Sequence, residues 1–295
     1  MAVPSGDSSP GRGALQASKG ASAATIDPSE VVVPELLGLL SPDGTAITGW
    51  FYSPPTEGPF PTLIWLHGGP EVQERPVYNS LFQSLLAKGV AVFAPNVRGS
   101  AGHGRAFRHA DDGAGRYGAF EDVAACADHL VEIGIAEPGR LGLAGRSYGG
   151  YLTLAVLVRY PELFAVGVDI CGMSDLLTFY AHTEPWIAAA AVSKYGHPEH
   201  DRELLCDLSP LNAIDRLRAP LLIVHGADDT NVPLGEAEQL AAALAELDVH
   251  YRLLVFEEEG HELLATQNRV VFVHAVVGWV VRYLSATARV TADTA

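Results

Sequence analysis

Residues 141–160 read LGLAGRSYGGYLTLAVLVRY. An apolar run stops at Gly145-Arg146-Ser147-Tyr148-Gly149-Gly150, and a second apolar run with a different period follows. The first predicts a buried strand and the second a helix. A strand-to-helix turn this tight forces the residue at its tip into a strained backbone conformation. Small neighbours, here Gly145 and Gly149, avoid the clashes. The serine hydroxyl then stands exposed above the C-terminal end of a sheet. The following helix points its N-terminus at the same spot, where its partial positive charge favours a developing oxyanion. G-x-S-x-G also occurs in ordinary Gly-rich turns, so the surrounding chain must supply the context.

On both sides of this turn the chain alternates strand and helix. PTLIWLH (61–67) and VAVFAPN (90–96) predict buried strands, with the amphipathic LFQSLLAKG between them closed by Gly89. AFEDVAACADHLVEIG predicts a helix, RLGLAG a strand and FAVGVDICG another strand. APLLIVHG (219–226) and HYRLLVFEE predict two more strands, with the helix LGEAEQLAAALAEL between them, and a last helix covers roughly 264–285. Near the start, PELLGLL and AITGWFY flank Asp43-Gly44, a hairpin signal. The prediction is an α/β fold with a mostly parallel sheet, helices on both faces and a leading antiparallel hairpin. One domain is expected over 31–286, with an insertion at about 175–210. Residues 1–30, rich in Ala, Ser, Gly and Pro, predict a disordered tail, and 287–295 a second tail that frays.

Composition narrows the function classes. The net charge is −16, which repels phosphate and argues against nucleic acid. No apolar segment has the form of a secretory h-region, and no run of about 18 uncharged apolar residues predicts a membrane span. The cysteines Cys126, Cys171 and Cys206 are odd in number and widely spaced, which fits reduced thiols in a cytoplasm. A homo-oligomer is compatible with the chain.

A serine hydroxyl needs a base oriented by a carboxylate. In chain order the acid should follow the serine and the histidine should come last. After LLIVHG comes ADDTNVP, and after HYRLLVFEE comes EGHEL; both lie at strand C-terminal ends, where such sheets bind ligands. His261 is the base candidate, and the acid is Asp228 or Asp229. Neighbours in an extended loop diverge, so only one of the two can face the imidazole. His67-Gly68-Gly69-Pro70 after an early strand adds glycines whose backbone can approach a substrate oxygen. An N–H there, at Gly69, and the N–H of Tyr148 would make an oxyanion hole. This chemistry calls for no metal and no cofactor.

HGGP, PNVRGSAGHGRAF, FEDV, GRSYGGYLTL, HGADDTNVP and EEEGH together resemble the catalytic domain of the prolyl oligopeptidase family, in its acylaminoacyl-peptidase and dipeptidyl-peptidase branches. The resemblance covers about 34–285. It implies an α/β-hydrolase fold and a serine peptidase or esterase acting on a small peptide or acyl substrate. Through the pattern H-G-x-x-D-x-x-V-P it implies Asp229 as the acid. Asn231 matches an asparagine that helps hold a substrate carbonyl in the dipeptidyl peptidases. An apolar specificity pocket would carry over to Tyr148, Val232 and the loop GMSDLLTFY, with Met173, Leu176 and Phe179 as candidates. Family members usually carry a β-propeller ahead of this domain. Thirty residues are too few for one, so neither its size gating nor its amine-anchoring acids are expected here.

The leading expectation is a peptidase for short peptides or acylated amino acids. An esterase, thioesterase or acyltransferase would use the same triad, whereas a pure binder has no need of the strained turn. His197 and His200 in GHPEH sit in a polar loop where no metal site is expected. GSAGHG (99–104) lacks the partners of a phosphate cradle, and the family resemblance implies that this loop is scaffold near the site. Glu257–Glu259 read as a solvated charge run.

Overall fold

Continuous apolar strands need cover on both faces, and the chain provides it. The computed structural model describes residues 31–285, so the tails expected at 1–30 and 287–295 lie outside the described residues. In chain order the elements are β1 (Glu35–Leu40), β2 (Ala46–Tyr52), β3 (Phe60–Leu66), α1 (Ser80–Leu86), β4 (Ala91–Asn96) and the short α2 (Arg105–Arg108). Next come α3 (Arg116–Glu132), β5 (Ala136–Arg146), α4 (Tyr148–Arg159), β6 (Val166–Ile170), α5 (Leu176–His182), α6 (Pro185–Tyr195) and α7 (Arg202–Leu208). The series closes with β7 (Leu221–Gly226), α8 (Gly235–Ala245), β8 (Tyr251–Phe256) and α9 (Thr266–Leu284).

The strands form one eight-stranded sheet in the order β1-β2-β4-β3-β5-β6-β7-β8. β1 and β2 are antiparallel, as their Asp43-Gly44 turn predicts, and β2 runs antiparallel to β4. From β4 across to β8 every pairing is parallel. One apolar layer packs α3, α4 and α8 on one face through Phe120, Tyr151 and Leu240. The other packs α1 and α9 through Phe82, Leu85, Val276 and Trp279. Each such fully buried side chain is worth roughly 1.5–3 kcal/mol over an exposed one. Among the described residues no helix is long and apolar enough to cross a membrane.

Strand order places the site. From β3 the chain crosses to β4 on one side and then returns to β5 on the other. The crevice beyond the C-terminal ends of β3 and β5 is therefore the topological switch point, where open α/β sheets take ligands. Leu66 pairs with Gly145, so the His67-Gly68-Gly69 loop and the Ser147 turn emerge side by side.

Two elements differ from the sequence reading. β5 begins at Ala136, earlier than the RLGLAG run, because a register shift between Phe60 and Thr62 absorbs the Glu137-Pro138-Gly139 interruption. The stretch expected as an insertion carries α5, α6 and α7, and α6 roofs the crevice.

Candidate active site

Ser147 sits between β5 and α4 with φ 57° and ψ −118°. Positive φ is rare for a residue with a Cβ, and it costs on the order of 1–3 kcal/mol unless the surroundings enforce it. Here they do. A Cβ on Gly145 would lie 2.2 Å from the carbonyl oxygen of Gly149, and one on Gly149 would lie 2.0 Å from that of Leu66. The turn is as tight as the glycine spacing implies. Ser147 precedes the first turn of α4, whose leading N–H groups have no partner within the helix.

His261 and Asp229 meet across two loops. His261 Nδ1 donates to Asp229 Oδ2 at 2.7 Å. Asp229 Oδ1 accepts from the backbone N–H groups of Asn231 and Val232, each at 2.9 Å. Burial opposes the Asp229 charge, but the His261 contact and the backbone donors outweigh it and hold the carboxyl below its usual range. Asp228 points to solvent instead, so the structure separates the two acids that composition left open. His261 and Ser147 line one cavity of about 610 Å³.

The loop bearing His261 is tied down by groups the sequence reading missed. Arg146 donates to the His261 carbonyl oxygen and pairs with Glu262 at 2.6 Å. Glu259, read as part of a solvated charge run, is instead buried. Its carboxylate accepts from the N–H groups of Leu264 and Ala265 at 2.7 and 2.9 Å and from Asn268 at 2.7 Å. It therefore satisfies N–H groups at the entry to α9, a capping role that a run of three glutamates conceals.

The opposite wall holds Gly69, with φ +126°, and Tyr148. His67 Nε2 bonds Ser100 Oγ at 2.8 Å, fastening the His67–Pro70 loop to the Gly-rich loop expected to be scaffold. The Tyr148 ring is buried, and its hydroxyl meets Arg116 and Asp111. The Arg116 guanidinium lies 4.8 Å from both the Tyr148 and Tyr195 ring centres. Asp111 also neutralises Arg116 and lies 3.3 Å from Lys194 Nζ. A fully buried cation thus has two rings and an anion about it, the arrangement burial demands.

Met173, Phe179, Asn231 and Val232 all line the cavity as expected. Leu176 does not. It is the first residue of α5 and is fully buried in the core on the α4 side. Met173 and Phe179 belong to the same buried cluster but border the cavity as well. Trp186, Ile187, Ala190 and Lys194 of α6 complete the wall. Their spacing is a helical stripe legible in PWIAAAAVSKY, but nothing local shows which cavity it faces. Glu71 also lines the cavity, 3.1 Å from Lys194 and 3.5 Å from Arg108. Away from the cavity, His197 and His200 stack at 4.4 Å, and with Glu199 they bring three donor atoms within 4.8 Å of one another.

A serine on a strained strand–helix turn, beyond a parallel sheet and lining one cavity with a histidine–aspartate pair, defines the α/β-hydrolase class. Residues 76–287 match the prolyl oligopeptidase family, and the chain belongs to that family. It is 31% identical over 237 residues to dipeptidyl aminopeptidase BIII of Pseudoxanthomonas mexicana, covering 79% of this chain and 34% of that protein. It is 27% identical over 239 residues to acylamino-acid-releasing enzyme 2 of Oryza sativa subsp. japonica, covering 77% of this chain and 31% of that protein. The crystal structure of a puromycin hydrolase superposes with a TM-score of 0.84 at 27% identity, covering 90% of this chain and 42% of that one. The chain thus spans about a third of the curated relatives and about two fifths of the structural one.

Proposed function

We propose that this chain is a serine peptidase for short peptides or acylated amino acids, working through an acyl-enzyme. The observation that carries the reading is the Asp229–His261 pair facing the same cavity as the strained Ser147. Ser147 Oγ attacks the scissile carbonyl while His261 Nε2 takes its proton. Asp229 holds the imidazole by Nδ1 and stabilises the imidazolium. The N–H groups of Gly69 and Tyr148 receive the oxyanion. His261 then returns the proton to the leaving amine, and water repeats the sequence to release the acid.

Asn231 suits a second substrate carbonyl, since its side-chain amide has no hydrogen-bond partner among the described residues. Met173, Phe179 and Val232 offer an apolar recess for the acyl side chain. Among the described residues Glu71 is the one carboxylate in the wall of this cavity, and Lys194 and Arg108 offset its charge. A free substrate amine therefore gains little there. The names of relatives, a dipeptidyl aminopeptidase and an acylamino-acid-releasing enzyme, support short substrates. A cytoplasmic location belongs to the same reading, supported by Cys126, Cys171 and Cys206 being unpaired.

The test is a panel of aminoacyl p-nitroanilides, each with a free and an acetylated amine, beside p-nitrophenyl esters. Turnover of the anilides supports the peptidase, with the two amine forms within about tenfold in kcat/KM. Turnover of esters with no turnover of any anilide overturns it.

A further inference from the structure

Trp186 stands at the mouth of the cavity that holds Ser147 and His261. It lines that cavity, yet it is 67% exposed, more than any other aromatic side chain among the described residues. A single exposed apolar residue is ordinary. This one has neighbours of the same kind on the same wall. Val72 is 52% exposed, and Ala190, one turn along α6 from Trp186, is exposed as well. Residues four apart share a helix face, so the indole and the small Ala190 form one apolar stripe. A methyl group beside an indole leaves room for a flat group against the ring.

Two contacts decide which part of a substrate meets this stripe. Thr183 Oγ1 donates to the Asn231 carbonyl oxygen at 2.7 Å, and three residues of chain, about 10 Å at full stretch, lead from Thr183 to Trp186. The Trp186 end of α6 therefore lies on the Asn231 side. Towards the other end Lys194 pairs at 3.1 Å with Glu71, two residues beyond Gly69. The helix between Trp186 and Lys194 spans about 12 Å. Besides His261, the charged side chains of the wall among the described residues are Glu71 and Lys194. The wall at the Trp186 end thus carries no charge to hold an amine or a carboxylate.

We infer that Trp186 is the subsite for an uncharged, flat apolar group on the amino side of the scissile bond, either an acyl cap on the substrate amine or the side chain of the preceding residue. The inference rests on the proposed hydrolysis, in which Asn231 holds the second substrate carbonyl. With the scissile carbonyl at Ser147 and the second at Asn231, the group beyond it runs on toward the Trp186 end of α6. There it trades water for the indole face, and ring-on-ring contact adds to the area buried. The recess of Met173, Phe179 and Val232 reads the residue acylated onto Ser147, and Trp186 reads the group before it.

The test keeps leucine p-nitroanilide constant and varies only the amino side. One pair is N-benzoyl- against N-acetyl-leucine p-nitroanilide, and the other is phenylalanyl- against alanyl-leucine p-nitroanilide. The readout is the ratio of kcat/KM within each pair, which a loss of folded protein does not alter. Wild type should favour the ring-bearing member of at least one pair by about tenfold or more. Selectivity in the first pair alone assigns the subsite to an acyl cap, and in the second to a residue side chain. Trp186→Ala should bring that ratio below about threefold, mainly through KM, and Trp186→Phe should keep most of it. The inference is overturned if Trp186→Ala keeps the wild-type ratio. It is also overturned if the substitution instead shifts the preference for the benzyl over the methyl ester of N-acetyl-leucine, which would place the indole on the leaving-group side. A changed oligomeric mass in Trp186→Ala with an unchanged ratio would put the indole between copies of the chain, and overturns it as well. Wild type that hydrolyses both members of each pair equally sinks this inference alone, whereas wild type that hydrolyses no anilide and takes no fluorophosphonate on Ser147 sinks the proposed hydrolysis.

Discussion

Asp229 Oδ2 lies 2.7 Å from His261 Nδ1, and the same carboxylate accepts two backbone N–H groups through Oδ1. The acid is therefore fixed before it acts, and it fixes the ring in turn. Asp229→Asn should leave the fold intact and lower kcat by roughly 10³–10⁴, because an amide favours the wrong tautomer of His261. Asp228→Asn should stay within about threefold of wild type, since that side chain faces solvent. Steady-state kinetics of both variants check the pair, and equal losses would place the acid elsewhere.

The Tyr148 hydroxyl anchors the cavity floor to Arg116 and Asp111, while in the proposed mechanism only its backbone N–H serves the oxyanion. Tyr148→Phe should thus raise KM more than it lowers kcat. It should also cost about 1–3 kcal/mol in denaturant unfolding, since a buried cation loses a partner. A fall confined to kcat would show that the hydroxyl takes part in the chemistry.

Arg146 occupies the variable position of G-x-S-x-G yet reaches forward to the His261 carbonyl oxygen and to Glu262. Arg146→Gln loosens the loop bearing the base without touching its ring. The expected loss in kcat is about tenfold, with KM nearly unchanged, because a small misplacement of a catalytic group is costly. Wild-type kcat in this variant would mean that the Glu259 cap alone holds the loop.

Glu236 is buried in the first turn of α8, where its carboxylate accepts from the N–H groups of Ser174 and Asp175, each at 2.9 Å. Burial outweighs those bonds and holds its pKa above the usual glutamate value. The folded state therefore keeps a proton that the unfolded state has released. That difference lowers stability as pH rises from the ordinary glutamate value to the raised one. Glu236→Gln removes the difference. Relative to wild type it should gain stability with rising pH, by up to about 1.4 kcal/mol per pH unit inside that window. Denaturant midpoints at acidic and neutral pH measure it, and parallel pH dependence of the two proteins would contradict the assignment.

The parts of the site that follow from short-range rules were legible in the sequence. Gly145 and Gly149 announce the Ser147 turn because backbone atoms approach within contact distance there. Asp229 and His261 follow strand ends because such sheets place loops there. What the sequence hid depends on distant partners. Leu176 and Phe179 share one helix, one apolar character and one buried cluster, and only the packing of α5 decides that Phe179 borders the cavity as well. Glu259 looks like its neighbours until α9 arrives to be capped.

The most direct test of the central claim is covalent labelling by a fluorophosphonate probe, with the modified peptide located by mass spectrometry. Wild-type protein should carry one adduct, on Ser147, and Ser147→Ala should carry none and lose turnover by a factor on the order of 10⁶. An adduct on another residue, or a Ser147→Ala protein retaining a tenth of wild-type activity, would contradict the account.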